Sequence, residues 1–289
     1  MSTGIEAPST TAGFIGFGDI GGPMAERLVR SRRDTVLWSR RPESLQQFDG
    51  LDFRRAASIS ELAASVDAVG VCVSRDDDVR EVVAGDGGLV TGLRAGSVIA
   101  IHSTVAAATV IDLSRQAAER GILLLDAPIS GARQGAVDGT LTIMAGGSSE
   151  AIDRARPMLE AYATTICQVG DVGAGQRAKL LNNTLLAANL YLADAALTLG
   201  EQLGLDRDAC AQVLRSSSAD SFALRILIDR FSVDQEFARH AAAIRKDNVR
   251  LFREMCAELG IAATDLERAA AEAHQVAEKY GRGRSAPPG

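Results

Sequence analysis

The chain has 289 residues, 46% of them hydrophobic, and a formal net charge of −6. That length supports two ordinary domains, and the acidic balance leaves no cationic excess to neutralise phosphates, which argues against nucleic acid as a partner. No uncharged apolar run reaches the roughly 18 residues of a membrane helix, and the start "MSTGIEAPSTTAG" has no basic segment ahead of an apolar core, so a cytoplasmic protein without membrane contact is expected.

The first apolar run, "AGFIGF", leads into "GFGDIGGPMAERLV". Gly16, Gly18 and Gly21 allow a tight turn and a close approach of a pyrophosphate to backbone N–H groups, and a helix starting near Pro23 points the positive end of its dipole at that charge. A strand before the glycines and a helix after them predict a dinucleotide-binding turn formed by Gly16, Phe17, Gly18, Asp19 and Ile20. The second run, "TVLW", ends in "SRRPES". An NAD site usually places an Asp or Glu here for the ribose 2′-hydroxyl. Ser39, Arg40 and Arg41 suit a 2′-phosphate instead, which a guanidinium binds in bidentate fashion and a carboxylate repels. NADP(H) is therefore the preferred cofactor, with NAD(H) as the alternative.

Further along, "DAVGVCV", "SVIAIH", "ILLLDAP", "LTIMAGG" and "TTICQV" read as strands, many of them separated by helical segments. Runs apolar at nearly every position belong to a mostly parallel sheet covered on both faces. Residues 12–170 are thus expected to form a doubly wound, Rossmann-type α/β domain. The acidic run Asp76, Asp77 and Asp78 reads as the charged first turn of a helix. Cys72, Cys167, Cys210 and Cys256 show no CxxC spacing and read as reduced core thiols. His102, His240 and His274 stand far apart with no HxxxH pair, so no catalytic metal is expected.

After Gly175 the strand pattern stops. Residues 176–203 read as one long apolar helix, and "RDACAQVLRS", "SFALRILIDRF", "HAAAIRKDNVRLFREMCAELG" and "TDLERAAAEAHQVAEKY" supply the rest of an all-helical domain over 171–289. Apolar nearly all round, the long helix needs cover on most sides, and a homodimer or homotetramer is expected. Its mouth, "GAGQRAKLLNN", puts Lys179 where its ammonium is about to be buried, with Asn183 on the same face one turn later. An apolar setting disfavours the ammonium and brings a lysine toward proton exchange near neutrality.

"GFIGFGDIGGPMA", "LLLDAPISGARQGAVDGTLTIMAGG", "GAGQRAKLLNN" and "IRKDNVRL" occur in this order. Over nearly its whole length the chain resembles the β-hydroxyacid dehydrogenases, a family that includes 3-hydroxyisobutyrate dehydrogenases and tartronate or succinic semialdehyde reductases. The resemblance implies a C-terminal domain like that of 6-phosphogluconate dehydrogenase. It also implies hydride transfer between a nicotinamide and a small β-hydroxy acid or its semialdehyde. By the same resemblance Ser130, with the backbone N–H groups of Gly131 and Ala132, holds the substrate carboxylate; many members have a second glycine where Ala132 stands. Lys179 takes the role of general acid/base, and Asn183 holds the reacting oxygen. Lys246 reaches toward the cofactor near the nicotinamide, and Asp247 orients Lys179 or stabilises its charged form. Thr104 contacts the nicotinamide ribose or the substrate, and Val73 and Ser74 line the dinucleotide groove. Where many members carry phenylalanine this chain has Arg239, whose guanidinium either meets a second anionic group of the substrate or faces solvent. His102 is read as structural, because a lysine already fills the acid/base role. Two other readings stay open: an imine reductase on the same scaffold, whose members generally lack the lysine, and a dehydrogenase-like NADP-binding module without turnover.

Overall fold

The apolar runs of the first half form one sheet in the computed structural model, which describes residues 11–31, 34–231, 233–262 and 264–281; the side chains of residues 235, 237, 240–246 and 277 lie outside the described set. Strands β1 (Ala12–Ile15), β2 (Thr35–Trp38), β3 (Arg54–Arg55), β4 (Ala68–Val71), β5 (Val98–Ile101) and β6 (Leu123–Asp126) are parallel in the order β3-β2-β1-β4-β5-β6. That is the Rossmann order, whose direction of winding reverses between β1 and β4. β7 (Ile129–Ser130) and β8 (Leu141–Gly146) add an antiparallel extension, with β6 also pairing antiparallel to β8, and β9 (Ala163–Gly170) runs parallel to β8.

The pleat sorts successive side chains to opposite faces. Phe14 joins one layer with Met24 and Leu28 of α1 (Gly21–Arg30) and with Ile152 and Leu159, whereas its neighbour Ile15 joins the other with Leu62, Val79 and Leu113. The second layer is carried by α2 (Ile59–Ser65), α3 (Asp76–Ala84), α4 (Leu89–Gly92) and α5 (Ala107–Ala118). The first is completed by α6 (Ala132–Asp138) and α7 (Ser149–Leu159). The first turn of α3 carries Asp76, Asp77 and Asp78, where carboxylates complement the helix dipole.

β9 was expected as a covered strand, but it is exposed along most of its length because it pairs only with β8 among the described strands. Cys167 rides on it and is therefore an exposed thiol rather than a core residue; Cys256 is buried and Cys72 and Cys210 are half-buried.

The second half is helical throughout its described residues. α8 (Ala174–Gln202) is followed by α9 (Arg207–Ser216), capped by the Asp206 carboxylate, and α10 (Phe222–Ile226), capped by Ser221. A π turn (Leu227–Phe231) precedes α11 (Gln235–Glu258), α12 (Asp265–Ala271) and α13 (Ala273–Gly281). Leu190, Leu197, Leu224, Leu227, Phe231 and Tyr280 form its main core, and Ala187, Ala188, Val249 and Ala273 a smaller one. The last two helices were expected as one; the break at Glu272 contains neither proline nor glycine, and its composition gives no warning of it. The chain forms two compact units that divide within α8, at Lys179 and Leu180.

Candidate active site

The dinucleotide turn is shaped by what its glycines omit. Gly16 sits at φ +99°, and a Cβ there would lie 2.2 Å from the Cys72 carbonyl oxygen. At Gly21 a Cβ would meet the Gly16 carbonyl oxygen at 2.2 Å, so strand and helix can approach only with glycine at both places. A Cβ on Gly18 would meet nothing within 4 Å and would project into open space. Two glycines thus serve the turn's own geometry, and the third leaves its backbone open to a ligand.

Beside this turn lies a cleft of about 190 Å³ at the C-terminal ends of β1, β2 and β4, where the strand order reverses. Gly16, Phe17 and Gly18 line it together with Ser39, Arg40, Arg41, Val73 and Ser74. Eight residues selected from sequence therefore converge on one cavity; Asp19 and Ile20 belong to the same turn without lining the cleft. The Ser39 hydroxyl bonds that of Ser44 at 2.7 Å and accepts the Arg41 backbone N–H at 3.2 Å, which fixes the turn carrying both arginines. Arg40 lies 3.6 Å from Asp78, a carboxylate that the sequence reading did not connect with the cleft. Hydrogen bonding from Arg75 holds the Asp78 carboxyl below its ordinary value, with the charges of Arg75 and Arg40 adding to the pull. The residues fit a dinucleotide: an open glycine turn at a helix N-terminus for its pyrophosphate and guanidinium groups at the cleft rim.

The candidate carboxylate anchor begins where β7 ends. Ser130 is half-buried, and Gly131 (φ +127°) and Ala132 (φ +53°) turn the backbone into α6. Ala132 is the one non-glycine with positive φ among the described residues. The backbone thus keeps a left-handed shape without the second glycine, at a cost of about 1–2 kcal/mol. Thr104 is half-buried in the loop after β5, and the adjacent Ser103 hydroxyl accepts the Val73 N–H at 2.9 Å. His102 is buried against Phe14, with Nδ1 2.8 Å from the Ala127 carbonyl oxygen and Nε2 2.9 Å from the Tyr162 hydroxyl. Burial lowers it to about 4, so at neutral pH the ring is uncharged: Nδ1–H donates to Ala127, and Nε2 accepts from Tyr162.

Of 31 basic side chains only three are lysines: Lys179, Lys246 and Lys279. Arginine does not release its proton in proteins, whereas a desolvated lysine does, so a chain this rich in arginine restricts proton exchange by cations to few places. Lys279 is engaged by Asp194 at 2.9 Å. Lys179 is brought by burial from 10.5 to about 8. Asn183 follows one turn later on α8, half-buried, its Oδ1 accepting from Asn182 Nδ2 at 3.3 Å.

The turn that carries Lys179 is held by residues that sequence reasoning missed. The Asp126 carboxylate, at the end of β6, accepts the backbone N–H groups of Gly173 and Gln176, each at 2.7 Å. The buried Gln176 side chain donates to the Ser103 carbonyl at 2.8 Å and accepts the Val105 N–H at 3.1 Å. An aspartate closing the apolar run "LLLD" was the available signal, since a carboxylate at the end of a buried strand needs donors.

In the helical unit Asp247 is exposed on α11, 3.9 Å from Arg250. The Arg239 guanidinium donates to the Gly281 carbonyl at 2.9 Å. The Lys246 side chain lies outside the described residues.

A Rossmann sheet with an open glycine turn at its strand-order reversal, followed in the chain by a helical unit, is the arrangement of an NAD(P)-dependent dehydrogenase. The comparisons agree. Residues 11–170 match the family described as the NAD binding domain of 6-phosphogluconate dehydrogenase, and residues 173–286 that described as the NAD-binding domain of NADP-dependent 3-hydroxyisobutyrate dehydrogenase. The chain is 32% identical to 2-(hydroxymethyl)glutarate dehydrogenase of Eubacterium barkeri over 80% of its own length and 76% of that protein's. With the NAD-dependent L-serine dehydrogenase of Pseudomonas aeruginosa it shares 33% identity over 74% and 72%. The solved 3-hydroxyisobutyrate dehydrogenase of Mycobacterium tuberculosis with L-serine superposes with a TM-score of 0.80 at 26% identity, covering 94% of this chain and 95% of that one. The chain belongs to the β-hydroxyacid dehydrogenase family and is an NAD(P)-dependent oxidoreductase acting on a CH–OH group.

Proposed function

We propose that the protein interconverts a small β-hydroxy acid and its semialdehyde or oxo acid with NADP(H), using Lys179 as the proton carrier. The observation that carries this reading is the placement of Lys179, half-buried on α8 one turn before Asn183 and brought by burial to about 8, in a chain that otherwise uses arginine almost throughout. When bound, the nicotinamide accepts or donates the hydride. Lys179 takes the hydroxyl proton during oxidation and returns it to the developing alkoxide during reduction. Asn183 holds the same oxygen. Ser130 and the backbone N–H groups of Gly131 and Ala132 hold the substrate carboxylate. Thr104 and Lys246 contact the nicotinamide side, and Asp247 steadies the charged form of Lys179. Arg239 is the candidate for a second anionic group, a role that requires it to leave Gly281.

Arg40 and Arg41 support NADP(H), since they stand on the cleft rim where a 2′-phosphate would need cations. The relatives named for 2-(hydroxymethyl)glutarate and L-serine support a substrate carrying a hydroxymethyl group near a carboxylate. A homodimer or homotetramer is supported by α8, where Leu181, Leu185, Leu192 and Leu199 are each about half exposed in the single chain at three- to four-residue multiples, an apolar stripe suited to a second subunit. A cytoplasmic location belongs to the same proposal; no helix among the described residues is long and apolar enough to cross a membrane.

Following reduced-nicotinamide absorbance across short β-hydroxy acids, semialdehydes and cyclic imines, with each dinucleotide, tests this function. Oxidation of at least one β-hydroxy acid is expected, faster with NADP than with NAD at subsaturating cofactor. Turnover of imines alone rejects the hydroxy-acid reading.

A further inference from the structure

Lys179 can exchange a proton productively only if its amine is held near one position, and a long flexible side chain does not hold itself. The backbone that carries it is tied down in the first turn of α8. Gln176 precedes Lys179 by three residues and is fully buried. Its amide is used in both senses, Nε2 donating to the Ser103 carbonyl and Oε1 accepting the Val105 N–H. Neither a carboxylate, which only accepts, nor a thioether of the same length can make that pair of bonds. The Gln176 backbone N–H and that of Gly173 go to the two oxygens of Asp126. Glycine is required around this carboxylate: a Cβ on Gly146 would lie 2.4 Å from Oδ1, and one on Gly175 2.7 Å from Oδ2. The frame continues to the cofactor side, because the Ser103 hydroxyl accepts the N–H of Val73, a residue of the dinucleotide cleft wall.

An N-cap side chain from the residue just before the helix ordinarily satisfies one of its first free N–H groups. Here two buried polar side chains tie it to two strand ends, and one of them reaches a loop bonded to the cleft wall. We propose that Gln176 and Asp126 are positioning residues for the reaction: they fix the first turn of α8 against the loops after β5 and β6, so that the Lys179 amine is delivered to one place relative to the bound dinucleotide. This rests on the reading of Lys179 as proton carrier. Proton transfer needs heavy atoms at about 2.6–3.2 Å, and a displacement on the order of 1 Å costs about 100-fold in rate. Loss of the frame therefore acts on turnover far more than on cofactor binding.

The test uses the full-length protein and two variants, Gln176→Met and Asp126→Asn, each checked for folding by circular dichroism. Steady-state kinetics with the best hydroxy acid give kcat and the cofactor KM. Competitive labelling with an amine-selective acylating reagent, read by mass spectrometry, gives the titration midpoint of Lys179 without reference to activity; with three lysines in the chain the readout is unambiguous. For Gln176→Met, kcat is expected to fall about 10- to 100-fold with the cofactor KM within about twofold, and the midpoint to rise from about 8 by half a unit or more as the amine gains access to water. Asp126→Asn keeps the volume and one acceptor, and a smaller change in the same direction is expected. A wild-type midpoint near 8 that no folded variant moves, with kcat unchanged, overturns the positioning role alone. A wild-type midpoint at the ordinary lysine value overturns the proton-carrier reading and this inference with it. Should Gln176→Met fail to fold, Asp126→Asn decides by the same two readouts.

Discussion

The two turns that begin α1 and α8 do opposite kinds of work with similar composition. "GFGDIGG" and "VGDVGAGQ" are both glycine-rich and both open a helix. In the first, glycine leaves backbone open: the Gly18 position faces space, and function falls to N–H groups. In the second, glycine makes room for protein: Gly175 lets a buried carboxylate press against the backbone, and the proposed proton carrier Lys179 follows a turn later. A glycine-rich helix start is therefore ambiguous until one asks what fills the place of the missing Cβ.

The largest expected effect separates the two turns outright. Lys179→Met should lower kcat by about 10³-fold while leaving dinucleotide affinity within about twofold, as fluorescence titration of NADPH reports. The same variant should be more stable at pH 7 by about 1–3 kcal/mol in urea unfolding, an estimate discounted for partial exposure of the amine. The sign follows from its depressed folded-state value of about 8 against 10.5. The fold disfavours the ammonium, so the penalty is full below pH 8 and fades as pH rises toward 10.5. Wild-type oxidation, which needs the free amine, should rise with pH through about 8, and reduction, which needs the ammonium, should fall over the same range. Lost dinucleotide affinity in this variant would erase the division of labour between the turns.

Next in size is Arg40→Ala combined with Arg41→Ala. NADP affinity should weaken about 10- to 100-fold, with NAD changed by less than about threefold; equal weakening of both contradicts the assignment of the 2′-phosphate. Smallest is Ala132→Gly. Relief of the left-handed alanine, offset by the entropy of glycine, should raise stability by about 0.5–1 kcal/mol, measured as a shift in the urea midpoint at unchanged slope.

Strands such as β4 and β5, buried at every position, were plain because uniform apolarity leaves little choice. β3, with two exposed arginines, and β7, with two residues, carry no such signal and were invisible. Phe17 and Arg40 were readable because the cleft draws on strand ends, which follow from strand assignment, whereas Val73 was readable through the family resemblance. Gln176 was not, and Asp126 showed only as a carboxylate closing a buried strand, since their partners are 47 to 73 residues away and a hydrogen bond at that separation leaves no periodicity. The exposure of β9 was missed for a related reason: whether a strand is covered depends on neighbours, which an apolar run does not specify.

The scarcity of lysine has a consequence for the molecule as a whole. Positive charge held on guanidinium groups is almost unaffected by rising pH up to strongly alkaline conditions. The exposed basic surface, built almost wholly from arginine, therefore keeps its charge over the range near pH 8 in which burial brings the Lys179 amine, the proposed proton carrier, to lose its own. On the proposed role of Lys179, alkaline control of turnover is separated from the electrostatics of the surface, and a change of pH tunes the chemistry with little effect on how the protein's cations meet their surroundings.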